Sequence, residues 1–413
     1  MSRRTRLIAL VVAAALVVTG TTLWWNFPRQ GRFADLRAAI DVIAITSTQY
    51  VDPVSTFVLV KAYARDGNID GMLRDALHDR FTHYFPPDAY RQMQITTSGE
   101  FEGIGIMIGQ RDDRIVVISP IPGSPGAAAG IRPGDEIVSV DGKPLADKSL
   151  DEATQLMRGP VDSVVELGIV RPDGGESKPL VLSIRRAHID LPSVTDTRVI
   201  PSVPGRAQAP VGYIRVSAFT QQTPAQFTAS LQKVIAGHAG GLILDLRNNP
   251  GGLLSAAVDM AGHFLRSGPV LFVASRERNR HSIDAGGGAP FFSGPVVILV
   301  NQNSASASEI VAGALKDRGV AKLVGARTFG KGLVQTIFPL RSGGALSLTT
   351  ARYLTAGGHD IQTVGIEPDV VAGPQAAGAA GALGEFRSDD PVVQAGLRVL
   401  RAELDPAAPT KAA

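Results

Sequence analysis

The sequence predicts an α/β fold, and three observations carry that expectation. From Gly212 to Val324, short apolar runs (Gly212 to Val216, Leu242 to Leu246, Val270 to Val273, Val296 to Val300, Lys322 to Val324) mostly alternate with helical patterns. Those runs hold almost no polar residues, the signature of strands covered on both faces of a sheet. Upstream, a different texture of short β-like runs with Pro-Gly and Asp-Gly turns marks a second, smaller sheet. A chain of 413 residues with 44% apolar and 19% charged residues is long enough for two or three ordinary globular domains.

Charge is concentrated at the start. Met1 to Arg32 holds five arginines and no acid, so the formal charge of +3 falls to −2 without it. A near-neutral body lacks the clustered Lys and Arg of a nucleic-acid surface, and no nucleic-acid partner is expected. Behind Arg3, Arg4 and Arg6, the run Leu7 to Trp25 is 19 mostly apolar residues. It fits a signal peptide or an uncleaved anchor with its basic end in the cytoplasm, and the body outside it. No A-x-A site closes the run; Val18-Thr19-Gly20 could serve as a small-residue cleavage site, whereas Trp24-Trp25 suits an interfacial belt and favours the anchor. The absence of cysteine excludes thiol catalysis and thiolate metal sites.

Residues 33 to 97 read as helical. Leu36, Ile40, Ile43 and Ala44 keep helical spacing, Asp52-Pro53 breaks the pattern, and further helices follow at about Ser55 to Arg65 and Ile69 to Leu77. His78 and His83 near Asp79 lack metal-site spacing, so no metal is expected. From Gly99, β-like runs at Ile104 to Ile108, Ile115 to Ser119, Ile137 to Val140, Val164 to Val170 and Leu180 to Ile184 surround one helix. That helix begins at Ser149, with Glu152 as its capping-box partner. The segments Gly103-Ile104-Gly105-Ile106, Gly123 to Ile131 and Gly134 to Gly142 resemble a PDZ domain. The resemblance departs at Gly126, where alanine is usual, and implies that the Gly103 to Ile106 loop offers backbone N–H groups to a peptide's C-terminal carboxylate. Read without it, those glycines fit a tight turn equally well.

After a Pro-rich connection (Pro192, Pro201, Pro204, Pro210) comes the alternating part, with a helix opened by Thr223-Pro224 and Gln226 as its capping partner. Later strands are expected at Leu333 to Leu340 and Ala345 to Tyr353. The stretch Val371 to Gly384 reads as a linker. Asp390-Pro391 opens a final helix with Val393, Leu397, Leu400 and Leu404 on one stripe.

The chemistry centres on Asn301 to Lys316, where small and hydroxyl residues follow a buried strand and precede a helix. Ser306 and Glu309 form a capping box there. A serine nucleophile needs a base. Of the seven histidines, His263 and His281 match no triad, and G-x-S-x-G is absent. Lys331, between Gly330 and Gly332, is the better candidate, provided that burial brings its amine well below the ordinary value of about 10.4. On a strand starting at Lys331, Leu333 and Gln335 share its face, and Gln335 is placed to orient the amine. The loop Arg247 to Gly252 supplies glycine N–H groups that, with the Ala307 N–H, suit an oxyanion hole. A plain strand–helix turn would use the same glycines.

D-L-R-N-N-P-G-G at Asp245 to Gly252, S-A-S-A-S-E at Ser304 to Glu309, R-T-F-G-K-G at Arg327 to Gly332 and G-I-E-P-D at Gly365 to Asp369 are similar to the C-terminal processing peptidases, or tail-specific proteases. The resemblance spans roughly residues 35 to 370 and includes the serine–lysine spacing of 25. It implies a crotonase-like (ClpP/crotonase-type) core with an inserted PDZ domain and an N-terminal helical segment. The expected division is 1–32 anchor or signal peptide, 33–97 helical segment, 98–190 PDZ domain, 191–372 peptidase core, and 373–413 linker and C-terminal helix. The same resemblance implies Ser306 as nucleophile, Lys331 as general base, Gln335 as its partner, and Gly252 and Ala307 as the oxyanion hole, with no cofactor. Ser304 and Ser308 are then turn and cap residues, and Arg158 matches an arginine that the family often has facing the core, a candidate for gating or simply a solvated helix end. Substrates would be proteins or peptides with accessible C-termini, met on the extracytoplasmic side, with an activating partner or homo-oligomer as further partners. A proteolytically inactive PDZ adaptor and a crotonase-like acyl-CoA enzyme are the rival readings. Thr355 to Asp360 departs from the family's T-P-x-G-R and carries no role.

Overall fold

The computed structural model describes residues 34–404 apart from 112–113, 174–175, 203–208, 277–278, 290 and 374–385. The run Leu7 to Trp25, expected to target or anchor the chain, lies outside the described residues, as does most of the linker expected at Val371 to Gly384. Among the described residues no helix is long and apolar enough to cross a membrane. The described residues divide into two compact units, one drawn from 1–92, 272–282 and 332–354, the other from the remainder.

In the first unit, helices Ala34–Gln49, Thr56–Asp66 and Ile69–Leu77 follow the apolar spacing of the sequence. Local chemistry sets their ends. The Ser55 side chain accepts from the Val58 N–H, Asn68 accepts from the Gly71 N–H, and Gly67 at φ 69° terminates the first of these capped helices. Val42, Leu59, Met72 and Leu73 bury their side chains with Leu346 and Leu348 of the long strand Ala345–Thr355. His83–Phe85 is a strand inside the stretch expected to be helical. It pairs antiparallel with 345–347, because three residues carry too little periodicity to declare themselves and the neighbouring strand recruits them. The sheet also contains Leu333–Pro339, which carries Gln335. The Gln335 Nε2 donates to Thr349 Oγ1 at 3.3 Å, and the Thr349 hydroxyl donates to Asp79 Oδ2 at 2.7 Å.

The second unit holds two sheets and a ribbon. The smaller sheet has the order Ile106–Arg111, Arg114–Pro120, Glu136–Val140, Val164–Asp173, Glu176–Arg185, all antiparallel, so Ile106–Arg111 is an edge strand. Ile115, Val117, Ile137, Val140, Leu167 and Ile169 form its buried core with Ala153 and Met157 of the helix Leu150–Met157. That helix starts as expected, with Ser149 and Glu152 exchanging their capping-box bonds. Glu100–Gly103 pairs with Ala187–Asp190 in a two-stranded ribbon through which both ends of this region pass, a pairing the sequence did not reveal.

The larger sheet runs Val194–Ile200, Val211–Val216, Gly241–Asp245, Val296–Val300, Ala321–Gly325, Val370–Val371, parallel except for its first pair. Every residue of Val211–Val216, Gly241–Asp245 and Val296–Val300 is buried, and alternate residues explain why. Tyr213, Ile243, Val297 and Leu299 face the C-terminal helix Pro391–Leu404 through Val393, Leu397 and Leu400. The helices Thr223–Ala236, Leu254–Gly262 and Ala307–Asp317 bury Phe227, Leu231, Met260 and Val311. One expectation fails at the first of these helices. Gln226 does not complete a capping box; its Oε1 accepts from the Ser193 N–H (2.8 Å), the Ser193 hydroxyl (3.0 Å) and the Val194 N–H (3.1 Å). Tertiary donors brought close by the sheet outcompete the local cap.

Candidate active site

Strand order assembles the site. Gly241–Asp245, Val296–Val300 and Ala321–Gly325 are parallel neighbours in register, with Asp245 opposite Leu299 and Val300 opposite Gly325. Their C-terminal ends therefore release three loops side by side, 246–253, 301–306 and 326–331. This is where open α/β sheets place functional groups.

The nucleophile candidate sits at an unusual turn. Ser306 adopts φ 54°, ψ −114°, outside the regions that L-residues occupy freely, directly before the helix Ala307–Asp317. Such strain costs on the order of 1–3 kcal/mol and persists only where neighbours over-determine it. Glu309 is the main constraint. Its carboxylate, fully buried, accepts from the Ser306 N–H (2.9 Å), the Thr328 hydroxyl (2.6 Å), the Gly330 N–H (2.7 Å) and the Lys331 N–H (2.9 Å). The residue expected as a helix cap thus also ties the Ser306 turn to the backbone of Lys331. Four donors satisfy a charge that would otherwise be costly to bury. Thr328 fixes the next layer, accepting from the Ile366 N–H at 2.7 Å, so the G-I-E-P-D segment braces the lysine loop. Gly330, at φ 86°, has backbone atoms of Gly365 and Ile361 within 3.0 Å of where a Cβ would stand.

The glycine loop packs directly against this turn. A methyl on Gly251 would lie 2.8 Å from Ser306 Cβ and 2.9 Å from the Ala307 nitrogen. Phe219 bridges Gly252 in parallel fashion: its N–H donates to Gly251 O at 2.9 Å, and the Leu253 N–H donates to Phe219 O at 2.8 Å. The Gly252 N–H therefore turns to the opposite side. The Ala307 N–H is one of the first, unpaired donors of its helix. Among the described residues no protein acceptor takes either N–H.

Asparagines lock the loops, a role that the sequence alone does not show. Asn249 donates to Val216 O and accepts from the Gly251 N–H, both at 2.9 Å. Its carbonyl takes the Ala305 N–H and the Ser308 hydroxyl. Asn248 and Asn301 bond each other's backbone or side chain across the two loops. The Ser304 hydroxyl donates to Leu246 O at 2.8 Å. The Ser304 and Ser308 hydroxyls thus both donate to backbone carbonyls of the 246–253 loop, and the helix cap is Ser306 rather than Ser308. The paired asparagines beside Pro-Gly-Gly were the available signal, since such side chains substitute for backbone partners in loops.

In the smaller sheet, Ile104 O accepts from the Gly126 N–H at 2.7 Å, and Gly105 O accepts from the Ser124 hydroxyl at 2.8 Å and the Ile121 N–H at 2.9 Å. In planar trans peptides the following N–H groups, of Gly105 and Ile106, point the other way. Gly126 suits the close approach, because a Cβ there would stand 2.9 Å from Ile104 O. The Ile106–Arg111 edge strand continues from these donors. Arg158 ends the helix Leu150–Met157, its guanidinium 5.6 Å from the Phe101 ring of the ribbon. Gln335, expected beside Lys331, belongs to the first unit, where Thr349 holds it.

A family model for Peptidase family S41 matches residues 210–372, and one for a PDZ domain matches residues 116–171. The chain is 40% identical over 297 residues to a carboxyl-terminal-processing protease of Synechocystis, covering 71% of this chain and 68% of that protein. It is 36% identical over 365 residues to a carboxy-terminal-processing protease of Bartonella bacilliformis, covering 87% and 80%. Among solved structures it resembles a photosystem II D1 C-terminal processing protease, with TM-score 0.51, 32% identity, and 81% and 92% of the two chains covered. The strained serine, the lysine loop tied to it and the open-edged sheet thus stand in a chain that belongs to the carboxyl-terminal-processing proteases, PDZ-bearing serine-type peptidases of family S41.

Proposed function

We propose that this peptidase is an endopeptidase that captures protein C-termini on its PDZ domain and cleaves through an acyl-enzyme on Ser306. In this reading the neutral Lys331 amine removes the Ser306 hydroxyl proton as the oxygen attacks the scissile carbonyl carbon. The N–H groups of Gly252 and Ala307 bind the oxyanion that develops. The protonated amine then gives its proton to the leaving nitrogen, and water releases the acyl group by the same route in reverse. The observation that carries the reading is the buried Glu309 carboxylate, which accepts from the backbone of Ser306 and of Lys331 at once. Gln335 keeps the orienting role that the family resemblance implies.

For recognition, the N–H groups of Gly105 and Ile106 would take the C-terminal carboxylate and the Ile106–Arg111 edge would pair with the incoming strand. Arg158, against the ribbon, would communicate occupancy to the core. The crotonase-like core, the N-terminal helical segment and the domain limits of the sequence reading belong to the same proposal. So does action outside the cytoplasm from a membrane-held N-terminus, which rests on Arg3, Arg4, Arg6 and the apolar run behind them.

The test is labelling with an active-site-directed serine probe, followed by turnover of an unfolded protein with an accessible C-terminus. Label is expected on Ser306, and Lys331→Ala should reduce kcat by about 10²–10⁴. Full turnover by the Lys331→Ala enzyme would remove the lysine from the mechanism.

A further inference from the structure

The loop that carries Gly251 and Gly252 begins at Arg247, and Arg247 is held from two directions. Its Nε and Nη2 bind the fully buried Asp245 carboxylate at 2.9 and 2.6 Å. Its Nη1 donates to Asp390 Oδ2 at 2.7 Å. Asp390 is distant in sequence, at the start of the C-terminal helix. Its other oxygen, Oδ1, accepts from the Val392 N–H (2.8 Å) and the Val393 N–H (3.3 Å). One carboxylate thus caps the helix and grips the root of the glycine loop. A second contact joins the same parts: Phe386 packs edge-on against Tyr213 at 4.9 Å, and the Tyr213 hydroxyl donates to Asp245 Oδ2 at 2.8 Å. Burial pulls the Asp390 carboxyl upward, but Arg247 and the two helix N–H groups outweigh it and hold the carboxyl below its usual range.

We propose that Asp390 is a positioning residue for the oxyanion loop: through Arg247, docking of the C-terminal helix sets where the Gly252 N–H points. The chain from helix to loop is Asp390, Arg247, then Asn248 and Asn249, whose side chain and carbonyl hold Gly251, Ala305 and Ser308. The helix that Asp390 opens therefore supports the catalytic machinery through this one side chain. The proposal rests on the reading of Gly252 and Ala307 as oxyanion donors.

Asp390→Asn separates the two duties, since asparagine caps a helix about as well as aspartate but presents no charge to Arg247. The neighbouring Asp389, which pairs only with Arg387 among the described contacts, supplies the control Asp389→Asn. In the full chain, Asp390→Asn should lower kcat at least about tenfold with KM within about twofold. A displacement near 1 Å at a catalytic group is enough to cost about a hundredfold. Its thermal midpoint should stay near that of the unmodified enzyme, and Asp389→Asn should leave kcat unchanged. An unchanged kcat in Asp390→Asn overturns the proposal, as does a loss of kcat that only follows a loss of folded protein. Ser306→Ala, assayed alongside, keeps the two readings apart. If it retains activity the serine mechanism fails, whereas if it is inactive and Asp390→Asn is fully active only the positioning role fails.

Discussion

The second unit contains two sheets that solve opposite problems. The PDZ sheet is antiparallel, ends at the free edge Ile106–Arg111, and alternates exposure along its strands, as in Arg114–Pro120. The core sheet is mainly parallel and its central strands are buried at every position. An open edge can accept a further strand, so that sheet suits capture of an extended chain. In the core sheet the central strands are paired on both sides and buried throughout, so they hold the loops at their ends to fixed positions. Such a frame maintains Ser306 at φ 54°, ψ −114°. In the proposed reading, recognition uses the sheet with the exposed edge and chemistry uses the sheet whose central strands are enclosed.

The comparison breaks first where the core's precision is removed. Gly252→Ala places a methyl 2.0 Å from Phe219 O at a backbone conformation foreign to alanine. In the proposed reading this displaces one oxyanion donor, a loss worth about 10²–10³ in kcat, and steady-state kinetics should read at least that, while binding of C-terminal peptides to the PDZ domain stays intact. Glu309→Gln sharpens it next. An amide cannot accept from four donors with both of its ends, so buried donors lose their partner at a cost of about 3 kcal/mol. Denaturant unfolding should show that loss, and serine-probe labelling should slow with it.

The smallest effect lies in the PDZ sheet. Arg171 grips Asp135 through Nε and Nη2, both at 2.7 Å, and also donates to Gly130 O. Burial pulls the Asp135 carboxyl up, yet Arg171 and the Arg132 N–H outweigh it and hold it below the usual range. A depressed carboxyl contributes stability that is full above the unfolded value of about 3.9 and is lost as pH falls through the folded value. Thermal midpoints measured on acidification should drop in this region, and Asp135→Asn should flatten that acid limb.

Much of this was legible in the residues. Ser149 with Glu152, Asn68 and Ser55 carry their caps within four residues, so local sequence is sufficient for them. The apolar runs at Leu242 and Val296 announce buried strands for the same reason. Other features were hidden because their partners are far away in the chain. Gln226 reads as a cap until the sheet delivers Ser193 to it. His83–Phe85 reads as part of a helical stretch until 345–347 pairs with it. The final helix reads as an appendage beyond a linker until Val393, Leu397 and Leu400 are seen against the core strands.

The sequence by itself determined the vocabulary of the site: a hydroxyl at a strand–helix turn, a lysine 25 residues later, glycines in a loop and an edge-forming small sheet. These are short-range patterns, and short-range sterics and hydrogen bonding dictate them. Only the tertiary structure decided that three loops share one end of the sheet, that Glu309 holds the backbones of Ser306 and Lys331 together, and that Asp390 reaches Arg247 across 143 positions. Those contacts depend on the order and register of parallel strands, which no local pattern encodes because the strands meet only when the whole chain has folded.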